Sequence, residues 1–176
     1  MNRNRLLSVF ALLLVLVGVG LWYSRIAIPR ATVQNQLIRE ADAQEILDQV
    51  RQSHSPVTLI NFWASWCEPC KEEFPGILSL RHEFEGKGLK VIFVSVDDPA
   101  DFEAAQAFLK EQQVQFPTFY KGHNPLSFVA QIFPKWTGSI PASVLLGPEL
   151  QILDAWEGGT SKDEFEARVR QHLKGT

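Results

Sequence analysis

Residues 61–75 read NFWASWCEPCKEEFP and hold both cysteines of the chain, Cys67 and Cys70. The preceding run, Val57 to Trp63 (VTLINFW), is short and apolar, the pattern of a strand buried on both faces. The residues after the pair predict a helix to about Glu85. Cys67 therefore falls where a strand gives way to a helix. Free backbone N–H groups and the helix dipole favour an anion there, and the thiolate is the reactive form of cysteine. Cys70 lies one turn further in, close enough to attack a mixed disulfide formed on Cys67. Pro69 has no N–H, which the first turn of a helix can spare. A structural staple is the poorest reading, because closing so short a loop stabilises little. A metal site is the other alternative, but His54, His82, His123 and His172 are scattered and give no ligand set at familiar spacing. Two thiolates without near partners make a weak zinc site.

The string Phe62, Trp63, Ala64, Ser65, Trp66, Cys67, Glu68, Pro69, Cys70 matches F-W-A-x-W-C-x-P-C. It closely resembles the active-site segment of thioredoxin-fold proteins. It is most similar to the membrane-anchored thiol–disulfide oxidoreductases found outside the bacterial cytoplasm, including those serving cytochrome c maturation. The resemblance covers about residues 36–173 and is looser between Asp97 and Gly138. It implies that Cys67 is the exposed nucleophile, Cys70 the resolving thiol, and the two together a redox-active disulfide. It aligns Pro75 with the family's helix-kinking proline and Pro141 with its cis-proline, which docks substrate backbone and keeps metal from the dithiol. Ile140 is the residue type of reducing members. Trp66 is expected at the contact surface. Thioredoxins proper bury an aspartate where this chain has Asn61, which cannot titrate. Glu73 is the replacement proton acceptor that the resemblance offers, three residues after Cys70 and hence on the same helical face. Acids are also favoured in an early helical turn for their own sake, and that plain reading stands for Glu72 and remains open for Glu73.

The rest of the chain alternates strands and helices. Expected elements are a short strand at 36–39, a helix at 43–52 capped by Asp42, a strand at 90–96 and a helix at 101–113. After these come an extended piece at 116–120, a helix at 124–133, strands at 141–146 and 150–156, and a helix at 162–173 capped by Ser161 or Thr160. The order is β-α-β-α-β-α, an irregular insert, then β-β-α, and the stretch at about 97–139 is taken as an insert within the domain. The expected fold is α/β and thioredoxin-like, a central mixed sheet with helices on both faces. Phe128, Phe133 and Trp136 read as packing within the insert. There is no internal repeat.

Composition bounds the partners. Four of the 17 basic residues and none of the 20 acidic ones lie in positions 1–30, so the remainder carries a formal charge of −7. Such a body is a poor binder of nucleic acid, which needs basic patches. Residues 6–23, LLSVFALLLVLVGVGLWY, carry no charge and as a helix would span roughly 27 Å, near the thickness of a bilayer core. They predict a transmembrane signal anchor after a cytoplasmic N-terminus at 1–5 and before a tether at 24–35, with the domain at 36–176. Arg3 and Arg5 favour a cytoplasmic N-terminus. A cleaved signal peptide is the rival, but cleavage after Ala31 or Ala27 would put Pro29 or Arg25 at the −3 position. The expected place is the bacterial cytoplasmic membrane, single-pass, with the catalytic domain on the periplasmic side, where disulfides persist. The expected activity is reduction of disulfides in specific extracytoplasmic proteins, such as apocytochrome c or a copper-site assembly factor. A membrane electron-relay protein would be the reductant, and no cofactor is implied. Alternatives are a metallochaperone holding Cu(I) or zinc on the same cysteines, or a disulfide oxidase or isomerase.

Overall fold

A computed structural model describes residues 37–121 and 125–173. The chain divides into two units, Met1–Gln36 and Leu37–Thr176, and every described residue belongs to the second. The anchor expected at 6–23 and the tether at 24–35 lie outside the described residues. Among the described residues, no helix is long and apolar enough to cross a membrane.

In chain order the elements are β1 (Ile38–Ala41), α1 (Ala43–Ser53), β2 (Val57–Trp63), α2 (Glu68–Glu83), β3 (Leu89–Ser95) and α3 (Phe102–Glu111). They continue with β4 (Thr118–Lys121), α4 (Pro125–Ile132), β5 (Ala142–Leu146), β6 (Ile152–Glu157) and α5 (Lys162–Leu173). The described strands form one mixed sheet in the order β1-β4-β3-β2-β5-β6. β2 runs parallel to β3 and antiparallel to β5, and β5 is antiparallel to β6. All seven residues of β2 are buried, so both faces of the sheet are covered there. The path β2→β3→β4 steps in one direction across the sheet. Right-handed crossovers therefore put α2 and α3 on one face, and α1, which connects in the opposite direction, on the other. The packing agrees: α2 lies against α5, and α1 against α4.

One expectation needs correction. The insert placed at about 97–139 is not irregular, and the extended piece expected at 116–120 is a full strand of the sheet. This strand, β4, lies inside the sheet, parallel to both β1 and β3. The reason is burial: all four residues of TFYK are inaccessible, and an extended segment buried that thoroughly needs ladder partners for its amides. Phe128 and Phe133 from the same stretch enter the core, and half-buried Trp136 donates its indole N–H to the Ser139 carbonyl. Smaller shifts are at ends. β1 starts two residues late and α2 stops at Glu83. A short 3-10 turn, Pro99–Asp101, precedes α3.

Caps fall where the side chains allow. Asp42 accepts from the Glu45 N–H at 2.7 Å, and α1 ends at His54 in the left-handed conformation. Ser161 accepts from the Glu164 N–H, and the Glu164 carboxylate reaches back to the Ser161 N–H, a reciprocal capping box that starts α5. Under α2 an aromatic cluster carries the core. Phe74 stacks on Phe93 at 4.1 Å between centroids and meets Trp63 and Phe108 edge-on at 5.3 and 5.1 Å.

Candidate active site

The site stands at the C-terminal end of β2. There the chain leaves the sheet through a turn closed by the Cys67 N–H on the Ala64 carbonyl at 3.1 Å, and enters α2. Cys67 is the N-cap of α2, and its sulfur accepts from the Cys70 N–H at 3.3 Å. A donor so placed stabilises negative charge on that sulfur once it is reduced. Cys67 and Cys70 are joined in a disulfide, with Cα atoms 5.3 Å apart. The sequence reading had Cys67 exposed; in this oxidised form it keeps only 5% of its surface against 1% for Cys70. The order of access survives, since Cys70 sits a turn inside the helix. Glu68 and Pro69 are exposed in the first turn, and Trp66 stands 61% exposed beside the disulfide.

Pro141 lies across the sheet from this turn. Ala142 pairs with Phe62, so Pro141 falls at the same end of the sheet as the cysteines. The Ile140–Pro141 bond is cis, as the resemblance implied. Pro141 is buried and accepts at its carbonyl from the Gly158 N–H at 2.8 Å, while Ile140 is half-buried. Gly158 has φ +93°, which only glycine adopts freely, and the chain turns there from β6 toward α5.

Glu73 is the buried acid of α2, 6% exposed, and Glu72 next to it is exposed. One carboxylate oxygen accepts from Asn61 Nδ2 at 2.8 Å and the other from the Thr160 N–H at 3.0 Å. Asn61 Nδ2 also donates to Ser143 Oγ at 3.1 Å. Burial pushes the Glu73 carboxyl up from 4.5 to about 7, and the donors Thr160 and Asn61 pull against that rise. A cavity of about 390 Å³, lined by Pro69, Glu73, Gly76 and Gly159 to Lys162, borders this carboxylate. Asn61 and Glu73 are thus joined directly, one helical turn from Cys70, and the reading left open for Glu73 resolves to a buried acid. Thr160 and Ser143 were not foreseen. Ser143 has a trace in the sequence, as a lone polar residue in the apolar run PASVLL; Thr160 has none. Among the described residues no group of three or more His, Cys, Asp or Glu side chains gathers as a metal site.

A family model described as AhpC/TSA family matches residues 27–155, most of the chain. The chain belongs to the AhpC/TSA family. Similar curated proteins include the thiol-disulfide oxidoreductase ResA of Oceanobacillus iheyensis, 25% identical over 178 residues that cover 94% of this chain and 88% of the relative. ResA of Bacillus cereus is 24% identical over 180 residues, covering 97% and 98%. Among solved structures, a thioredoxin-family thiol:disulfide interchange protein from Chlorobium tepidum superposes with a TM-score of 0.58 at 21% identity, over 69% of this chain and 83% of that one. That likeness establishes the thioredoxin-like fold. Full-length relatives of this class and the paired cysteines at a helix start make the chain a thiol–disulfide oxidoreductase.

Proposed function

We propose that the chain is a membrane-tethered reductase of protein disulfides, acting on the periplasmic side of the bacterial cytoplasmic membrane through Cys67 and Cys70. The uncharged run at 6–23 would be the anchor. Clients are extracytoplasmic proteins whose cysteines must be free, with apocytochrome c and a copper-site assembly factor as the two classes. In the reduced enzyme the Cys67 thiolate attacks a client disulfide. A bond forms from Cys67 sulfur to one client sulfur, and the other leaves as a thiolate that takes a proton. Cys70, deprotonated, then attacks the Cys67 sulfur, restores the intramolecular disulfide and releases the second client thiolate. The client gains two electrons and two protons. A membrane dithiol relay returns the electrons.

The observation that carries this reading beyond the bare cysteine pair is Glu73. Its carboxylate is buried one turn past Cys70 and pushed up to about 7, poised to take the proton of the resolving thiol and return it. Ile140, cis-Pro141 and Trp66 would form the surface that receives client backbone. In Glu73→Gln the pH profile of exchange loses its inflection near 7, and cysteine pKa values unchanged from wild type would exclude this role. A Cys70→Ser chain forms the mixed disulfide without resolving it, so trapping names the client. A reduction potential as high as that of strong dithiol oxidants would turn the reading to an oxidase. Tight stoichiometric Cu(I) or zinc binding, lost in Cys67→Ser, would turn it to a metallochaperone.

A further inference from the structure

Asp97 is fully buried two residues past the end of β3, and among the described residues it has no ion-pair partner. A lone buried carboxylate is costly unless donors satisfy it. Three do. The Ser65 N–H approaches Oδ1 at 2.9 Å and Oδ2 at 3.1 Å, the Ser65 hydroxyl donates to Oδ1 at 2.7 Å, and the Ser95 hydroxyl donates to Oδ2 at 2.6 Å. Ser95 Oγ in turn accepts from the Asp97 N–H at 3.1 Å.

The position of this carboxylate gives it meaning. The backbone ladder between β2 and β3 ends with the Val96 N–H on the Trp63 carbonyl at 2.8 Å. The chain then leaves the sheet at Ala64, and no strand remains to hold Ser65. The Asp97 side chain takes the place of the missing strand. Ser65 is the second residue of the Ala64–Cys67 turn, so gripping both its N–H and its hydroxyl fixes the two residues that follow, exposed Trp66 and Cys67. Asp97 is not hydrogen-bonded to either cysteine. We propose that Asp97 is a positioning residue for disulfide exchange, which through Ser65 holds the turn that presents Trp66 and Cys67 to a client polypeptide. The proposal rests on Cys67 being the attacking sulfur. A large client must meet both Trp66 and the sulfur at once and depends on the geometry of the turn. A small disulfide needs the sulfur alone.

The test uses the reduced full-length chain against two oxidants, a ten-residue peptide closed by a disulfide and oxidised glutathione. Asp97→Asn lowers the rate with the peptide about tenfold and the rate with glutathione less than about twofold. Ser65→Ala, which removes one hydroxyl and retains the N–H, lowers the peptide rate about threefold and adds little in the Asp97→Asn background, because the two act as one unit. Amide hydrogen exchange at Ser65 and Cys67 quickens in both. Ser95→Ala is the stability control, since it removes a donor to Asp97 away from the turn. The proposal is overturned if Asp97→Asn slows both oxidants alike in step with its lost stability, as a merely structural change would. It is equally overturned by wild-type rates. If Asp97→Asn does not fold, Ser65→Ala decides, and unchanged peptide rate and amide exchange overturn it. Persisting exchange in Cys67→Ser would instead mark the choice of attacking sulfur as the error.

Discussion

Glu73 and Asn61 form a pair whose behaviour is set by one proton. Glu73 has its carboxyl raised from 4.5 to about 7 in the fold, so the native state binds a proton that the unfolded chain has released. That contribution to stability is fully present below pH 4.5 and is lost as pH rises through about 7. Glu73→Gln should abolish this slope, which is on the order of 3 kcal/mol at most, and urea denaturation at pH 4.5 and pH 8 reads it directly. Asn61→Asp replaces the Nδ2 donor, 2.8 Å from Glu73, with a second acid. Two carboxylates at that distance cannot both ionise, so the variant should stay near wild-type stability at pH 5 and lose about 2 kcal/mol or more at pH 8. The sequence marked Glu73 as one of two adjacent acids. Helical spacing put it on the side of Cys70, but its carboxylate is held by the Thr160 N–H, 87 residues away, and by Asn61, which Ser143 engages from across the sheet. Asp97 falls just past the strand expected at 90–96, and nothing local marks it, because the Ser65 contact spans 32 residues.

At the scale of elements, α2 is held by its underside. Phe74 touches Trp63, Phe93 and Phe108, and Phe74→Ala should cost about 3–5 kcal/mol in equilibrium unfolding. The helix could be read from sequence because its start is dictated twice, by the end of an apolar strand and by Pro69 in the first turn. Its interior Pro75 leaves the Lys71 carbonyl without the usual donor, yet does not end the helix. The segment before β5 is held differently. Glu157 on β6 accepts from the Thr137 N–H and hydroxyl at 2.8 and 2.6 Å and from the Ser139 N–H at 3.2 Å. Burial works to raise its pKa, but these donors outweigh it and the net shift is downward. This grip is therefore intact above the usual glutamate range and released as pH falls through the lowered value. Glu157→Gln should quicken amide exchange at Thr137 and Ser139 at neutral pH, and acid should do the same to the wild type.

For the molecule as a whole, the sheet depends on β4. Among the described residues β1 pairs with β4 alone, so replacing residues 99–121 by a short turn should leave β1 unpaired. The expected outcome is a chain that fails to fold cooperatively, seen as loss of a sharp thermal transition by circular dichroism, rather than a smaller stable domain. This was the part of the fold least legible beforehand. β2 is seven apolar-flanked residues and announces itself, whereas TFYK is four residues after a proline, with a lysine at its end. Only the sheet order shows that the lysine, too, is buried. The mixed topology followed from the short connection between β5 and β6, which admits only an antiparallel return.

Thr160 lies just ahead of the last helix, and its N–H is one of two donors to Glu73. A chain that emerges N-terminus first exposes Cys67 and Cys70 long before residue 160 exists outside the machinery that makes or moves it. During that interval the carboxylate beside the dithiol lacks this donor, and α2 lacks its neighbour α5. If Glu73 is the proton acceptor proposed above, that acceptor would be completed only when α5 and the Thr160 turn ahead of it have docked, and a nascent or truncated chain would carry its cysteine pair without it.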